Sequence, residues 1–109
     1  MSERLIQIHW ARTAADALAE IGSRTIKQKL YEKVEELLRH EPPEAIGKPL
    51  QDELRGYYRI PFGRYRILYR VSRSGTMTDV EVVLVGLRKQ GNKRDIYEIA
   101  HRLRRQGKI

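Results

Sequence analysis

The 109-residue sequence predicts one α+β domain: an opening strand, a helical hairpin, a strand-rich middle and a closing helix. Three observations carry this. Residues 54–71, LRGYYRIPFGRYRILYRV, split at Phe62-Gly63 into two alternating runs rich in Tyr and Ile, the pattern of a β-hairpin with a glycine-containing turn. Residues 80–87 form an almost continuous apolar run of strand length. Residues 13–21, 23–40 and 95–105 instead repeat their apolar positions at a helical period.

Leu5 to Trp10 alternates Ile6, Ile8 and Trp10 against Leu5, Gln7 and His9, which fits a half-buried strand. The first helix follows over residues 13–21, with Ala14, Leu18 and Ile21 on one face and Gly22 as its stop. Ser23 can cap a longer helix whose apolar stripe is Ile26, Leu30, Val34, Leu37 and Leu38. Arg39 and His40 suit the negative end of its dipole, and Pro42-Pro43 cannot extend it. AIGKPL, residues 45–50, reads as a Gly/Pro loop into the hairpin.

Within the hairpin, alternation puts Tyr58, Ile60 and Phe62, then Tyr65, Ile67, Tyr69 and Val71, on a core side. The other side carries Arg59 and Pro61, then Arg64, Arg66, Leu68 and Arg70, with no acidic residue between Arg55 and Arg73. Residues 72–78 read as a polar turn, and the run 80–87 as a buried strand that delivers Arg88 where it leaves the core. A basic loop, Lys89-Gln90-Gly91-Asn92-Lys93-Arg94, leads to a helix with Asp95 as N-cap and Ile96, Ile99, Ala100 and Leu103 on one stripe. Tyr97 stands ~100° from the centre of that stripe and is free to face elsewhere.

A net charge of +8 implies an anionic partner: nucleic acid, a charged surface or an acidic protein. The acidic residues Glu32, Glu35, Glu36, Glu41 and Glu44 cluster before the hairpin, which concentrates the positive charge in the second half of the chain. With no cysteine, disulfides and thiolate metal sites are excluded. His9, His40 and His101 lack zinc-site spacing, so neither metal nor cofactor is expected. No apolar run is long enough to span a membrane and no secretory pattern opens the chain, so a cytoplasmic protein without membrane association is the expectation.

GKPL followed by LRGYYRIPFGRYRILYRV, and then VEVVLVGLRKQGNKRDIYEIAHRL, resembles the RelE family of bacterial toxin–antitoxin toxins over nearly the whole chain. The resemblance implies a single RelE-like domain over residues 1–109, with a small, mainly antiparallel sheet. It implies a metal-independent endoribonuclease that cuts mRNA in the ribosomal A site and so inhibits translation. It also implies a cognate antitoxin, an oligomeric complex with it, and DNA binding through that antitoxin. The family's catalytic positions fall on Arg59, Arg66, Arg88 and Tyr97, flanked by Arg64, Arg70, Lys89, Lys93 and Arg94 as substrate-binding cations. One position departs from the pattern: Pro61 stands where a second lysine is expected, and residue 59 is arginine rather than lysine. Arginine meets phosphate charge well but is a poor general base. The base is therefore Tyr97, Lys93 or a group supplied by the ribosome.

Blander readings exist for each residue. Arg59, Arg66 and Arg70 suit a solvated outer sheet face, Tyr97 suits a ring at the core margin, and Lys93-Arg94 suit an ordinary loop. Of the histidines, only His101, one turn after Tyr97, keeps a possible role in the site. Two other functions fit the same charge: a ParE-like inhibitor of DNA gyrase, and a nucleic-acid-binding module without catalysis. The closing RDIY-containing helix favours the ribonuclease.

Overall fold

The structure, a computed structural model, describes residues 5–109, with the side chains of Leu38 and Arg39 outside the described residues. Five strands form one sheet in the order β1-β5-β4-β3-β2: β1 Leu5–Trp10, β2 Lys48–Pro49, β3 Tyr58–Phe62, β4 Tyr65–Ser74 and β5 Met77–Leu87. Only β1 runs parallel to its neighbour, β5; the other pairings are antiparallel, as the resemblance implies. The described residues also form three α-helices: α1 Arg12–Ala19, α2 Arg24–Glu35 and α3 Ile96–Arg105.

Alternation sorts the hairpin as expected. Ile60, Ile67 and Tyr69 are buried together with Val80, Val82, Ala14, Leu30, Val34 and Leu37, so α1 and α2 cover the face that the Tyr/Ile rows predict. Ser23 caps α2, its hydroxyl accepting from the Ile26 N–H at 3.2 Å. Beyond Glu35 the chain tightens into a 3₁₀ turn over Glu36–Arg39 before the proline pair.

Two expected loops are ordered pairings instead. Residues 72–78 are not a long turn: β4 continues to Ser74, β5 starts at Met77, and Gly75 takes φ 59° in the short connection. AIGKPL contains the short edge strand β2, where Lys48 pairs with Arg59. Gly47 of that segment is tied in by Tyr69, whose hydroxyl accepts from the Gly47 N–H at 3.0 Å and donates to the Pro43 carbonyl at 2.8 Å. Burial pushes the Tyr69 phenol up to about 12, so it stays a neutral donor throughout the working pH range.

The arginine-bearing face is not the open outer surface that the hairpin alone suggests. It is half covered by α3, whose Ile96 and Ala100 bury Leu68, Val83 and Leu84. A β-bulge makes this possible: Leu68 pairs with Leu84 and Tyr69 with Val82, leaving Val83 unpaired so that Val83 and Leu84 both join this second cluster. With helices on both faces, β5 needs no polar alternation, which explains its near-continuous apolar run. At its far end α3 is held to the 3₁₀ turn Asp52–Leu54, where Glu53 accepts from Arg105 at 2.9 Å and pairs with His101. That contact accounts for His101 as a structural residue.

Candidate active site

The site forms where β3, β4, the end of β5 and the first turn of α3 meet. Register places Arg59 opposite Leu68 and Arg66 opposite Pro61, so the two arginines are diagonal neighbours on the α3 face. Arg66 also faces Gly86 across β4 and β5, and the chain emerges from β5 two residues later at Arg88. The Arg88 N–H donates to the Arg64 carbonyl at 2.7 Å, which fastens the β5 exit to the hairpin turn.

Tyr97 is the meeting point. Arg59 Nη1 donates to its hydroxyl at 3.3 Å, and the Arg88 guanidinium lies over its ring, 4.8 Å from the centroid. Because Arg59 fills an acceptor position, the phenolic hydrogen remains free to donate. Arg66 is near but turned aside: its Nη1 donates to the carbonyls of Gly63, at 3.0 Å, and Tyr65, at 2.8 Å. It thereby braces the turn, while its Nη2 and Nε have no hydrogen-bond partner among the described residues.

Asp95 is a residue whose full role the sequence reading missed. Only 2% exposed, it pairs with Arg88 Nη1 at 2.6 Å, accepts from the Tyr97 N–H at 3.1 Å as N-cap, and accepts from the Lys89 N–H. Burial alone would raise its carboxyl, but the Arg88 bond, the two backbone donors and the Arg88 charge outweigh it and hold the group below the ordinary aspartate range. One carboxylate therefore fixes the Arg88 guanidinium, starts α3 and sets the residue that carries the phenol. The signal was present as Arg88 and Asp95 flanking a basic loop, but an N-cap alone already explained the aspartate.

The remaining cations divide. Arg64, Lys89, Lys93 and Arg94 lie in the turn and loop that frame this corner, with Arg64, Lys93 and Arg94 exposed. Arg70 does not join them: it pairs with Glu81 at 2.7 Å and lies over the Tyr57 ring, toward β1. There, too, His9 meets Asp79 at 3.0 Å. Among the described residues, no three His, Cys, Asp or Glu side chains gather at metal-binding distance, and no helix is long and apolar enough to cross a membrane.

A toxin family model and solved toxin structures similar to this chain place it in the RelE/ParE superfamily. The RelBE2 toxin–antitoxin complex of Mycobacterium tuberculosis contains a chain similar to this one, with 29% identity, TM-score 0.65, and coverage of 77% of this chain and 99% of that one. The YoeB/ParE toxin from Agrobacterium tumefaciens (22% identity, TM-score 0.61, 76% and 99% coverage) and a double mutant of the E. coli toxin RelE in the free state (24%, 0.59, 94% and 99%) share the fold. No curated protein matches the chain. A family model, the ParE toxin of the type II toxin-antitoxin system parDE, matches residues 8–92, and the chain belongs to that family.

Proposed function

We propose that the chain is the toxin of a type II pair and a metal-independent endoribonuclease that cuts mRNA in the ribosomal A site. The observation that supports this reading best is the convergence of Arg59 and Arg88 on Tyr97, with Arg66 beside them. RNA supplies its own nucleophile. As the 2′-oxygen bonds to phosphorus and loses its proton, charge gathers on the phosphoryl oxygens, where guanidinium groups stabilise it without a metal. The bond to the 5′-oxygen then breaks and that oxygen takes a proton, leaving a 2′,3′-cyclic phosphate. Arg66 and Arg88 meet the charge, Arg59 positions the phenol, and Tyr97 relays a proton or stacks on a base. Arg64, Lys89, Lys93 and Arg94 hold the RNA backbone.

A second reading, inhibition of DNA gyrase without cleavage, is favoured by the ParE family match, which ends at residue 92, before α3 and Tyr97. Programmed ribosomes followed by primer extension, set against a gyrase supercoiling assay, separate the two. Ribosome-dependent cuts with supercoiling intact support the ribonuclease; blocked supercoiling with intact mRNA replaces it. On ribosomes, Arg66→Ala is expected to lower cleavage by ~10²-fold or more. Arg12→Ala, at the start of α1, should change little.

We extend the reading to a cognate antitoxin as partner, since solved structures similar to this chain include toxin–antitoxin complexes. Tyr97 supplies a sharper test of chemistry. If its hydroxyl relays a proton, Tyr97→Phe slows the single-turnover step by ~10²–10⁴-fold on saturating ribosomes. If the ring only stacks, Tyr97→Phe keeps the rate and Tyr97→Ala weakens binding by ~1–3 kcal/mol. Equal rates for Tyr97→Phe and wild type across pH would remove the relay and direct attention to Lys93 or the ribosome.

A further inference from the structure

The two edges of the sheet are built differently. At one, β2 is two residues long and consists of a lysine and a proline, both of which discourage another strand from adding there. At the other, β1 runs for six residues, LIQIHW, with no Lys, Arg, Asp, Glu or Pro. Its backbone polarity can be read from its ends. The Leu5 N–H donates to the Thr76 carbonyl at 3.0 Å and the Ala11 N–H to the Val82 carbonyl at 2.9 Å, so odd-numbered residues face β5. In an extended strand the N–H and C=O of one residue point the same way and successive residues alternate, so Ile6, Ile8 and Trp10 direct theirs outward. Among the described residues, β1 pairs with no strand on that side.

The apolar surface agrees. The two exposed large hydrophobic residues among those described are Leu5, at 59%, and Tyr31, at 46%, and both flank this edge. Leu5 belongs to β1 itself, while Tyr31 stacks on Trp10 with centroids 6.4 Å apart on the α2 side. On the opposite face Arg70 neutralises Glu81, and the His9 ring is hydrogen-bonded to Asp79, so the arriving strand meets polar groups that already have partners there.

We infer that an extended segment of the antitoxin pairs with β1 as a sixth strand, its apolar side chains packing beside Trp10 and Tyr31 and its polar ones beside Gln7 and His9. Pairing over six residues buries only on the order of a few hundred Å², against the roughly 1,200 Å² that a specific complex needs. A second copy held by this edge alone would therefore not persist, whereas an antitoxin anchored elsewhere on the toxin can add the strand as part of a larger contact. The inference rests on the antitoxin reading above and not on the ribonuclease.

The test is amide hydrogen exchange resolved by residue, on the refolded toxin alone and on its complex with the antitoxin encoded beside it. In the free toxin the Ile6, Ile8 and Trp10 amides should exchange fast while Gln7 and His9 remain protected by β5. In the complex all five should be slow, with Ile8 slowed by ~100-fold or more. A complex that forms but leaves Ile6, Ile8 and Trp10 fast overturns the strand pairing; failure to form any complex overturns the partner instead. Protection of these amides in the free toxin that rises with concentration, with a doubled sedimenting mass, would assign the edge to a second copy and also overturn the proposal. Ile6→Pro removes one outward N–H and spares the β5 ladder, so it should speed antitoxin dissociation by ~10-fold; an unchanged rate in a folded variant counts against the pairing.

Discussion

Arg88→Ala should lower single-turnover cleavage by ~10²–10³-fold, the loss expected when a preorganised donor to transition-state charge is removed. It should also destabilise the domain, because Asp95 is left buried with no counter-charge. Breaking a buried pair costs about 3 kcal/mol at the low end, and the two backbone N–H groups that Asp95 retains argue for that end. Rates therefore have to be compared well below the variant's own melting midpoint. Arg88→Lys separates the two effects: the ammonium still neutralises Asp95, so most stability should return, while the planar group over Tyr97 is lost and the rate stays reduced by ~10-fold or more. Near-normal turnover by folded Arg88→Ala would place the chemistry elsewhere.

The same pair sets an acid limit. Asp95 is held below its unfolded value, so its contribution is complete above about pH 4 and is lost as pH falls through its lowered value. In Arg88→Ala the largest lowering influence is gone, so the acid loss should begin at higher pH. Melting curves between about pH 2 and 6 read this directly.

Gly47→Ala is the second large effect and acts on the frame. A Cβ there would stand 2.6 Å from the Arg59 carbonyl oxygen and 2.6 Å from the Tyr69 hydroxyl. The first is backbone and the second is fixed by its bonds to Gly47 and Pro43, so neither can yield cheaply. Overpacking and the strained Tyr69 bonds together should cost about 3 kcal/mol or more, seen as a Tm lower by ~10–20 °C. Since β2 pairs with β3 at Arg59, residual activity should fall as well. A melting curve like wild type would mean that the close approach is not maintained in solution.

Much of this frame was legible because period-2 alternation is unambiguous where one face is apolar. Tyr58, Ile60, Phe62, Tyr65, Ile67 and Tyr69 declared the face under α1 and α2. The opposite face was harder, since alternation assigned it Leu68 as its one large aliphatic residue while Leu54 and Tyr57, which join the same cluster, precede the paired strands, and the Val83 bulge leaves no mark in a continuous apolar run. Charge misled in a similar way. The absence of acid between Arg55 and Arg73 suggested an unneutralised row, but register brings Glu81 to Arg70 from the neighbouring strand. The meeting of Arg59, Arg88 and Tyr97 joins three distant elements. Family resemblance named those positions, whereas no spacing in the chain does.

The parallel pairing of β1 with β5 has a consequence for how the chain finds its fold. Leu5 and Met77 are register partners although the whole α1–β4 segment lies between them, whereas β3, β4 and β5 are joined by short turns. Closing the longer loop costs more entropy, so the β3–β5 meander should nucleate and the opening strand should dock late. Folding-rate measurements should then give φ-values near 0.5–0.8 for core truncations such as Ile67→Val and Val85→Ala, and below ~0.3 for Ile8→Val. Until that docking, the uncharged LIQIHW strand has both edges open, which makes the late intermediate the species most prone to aggregate.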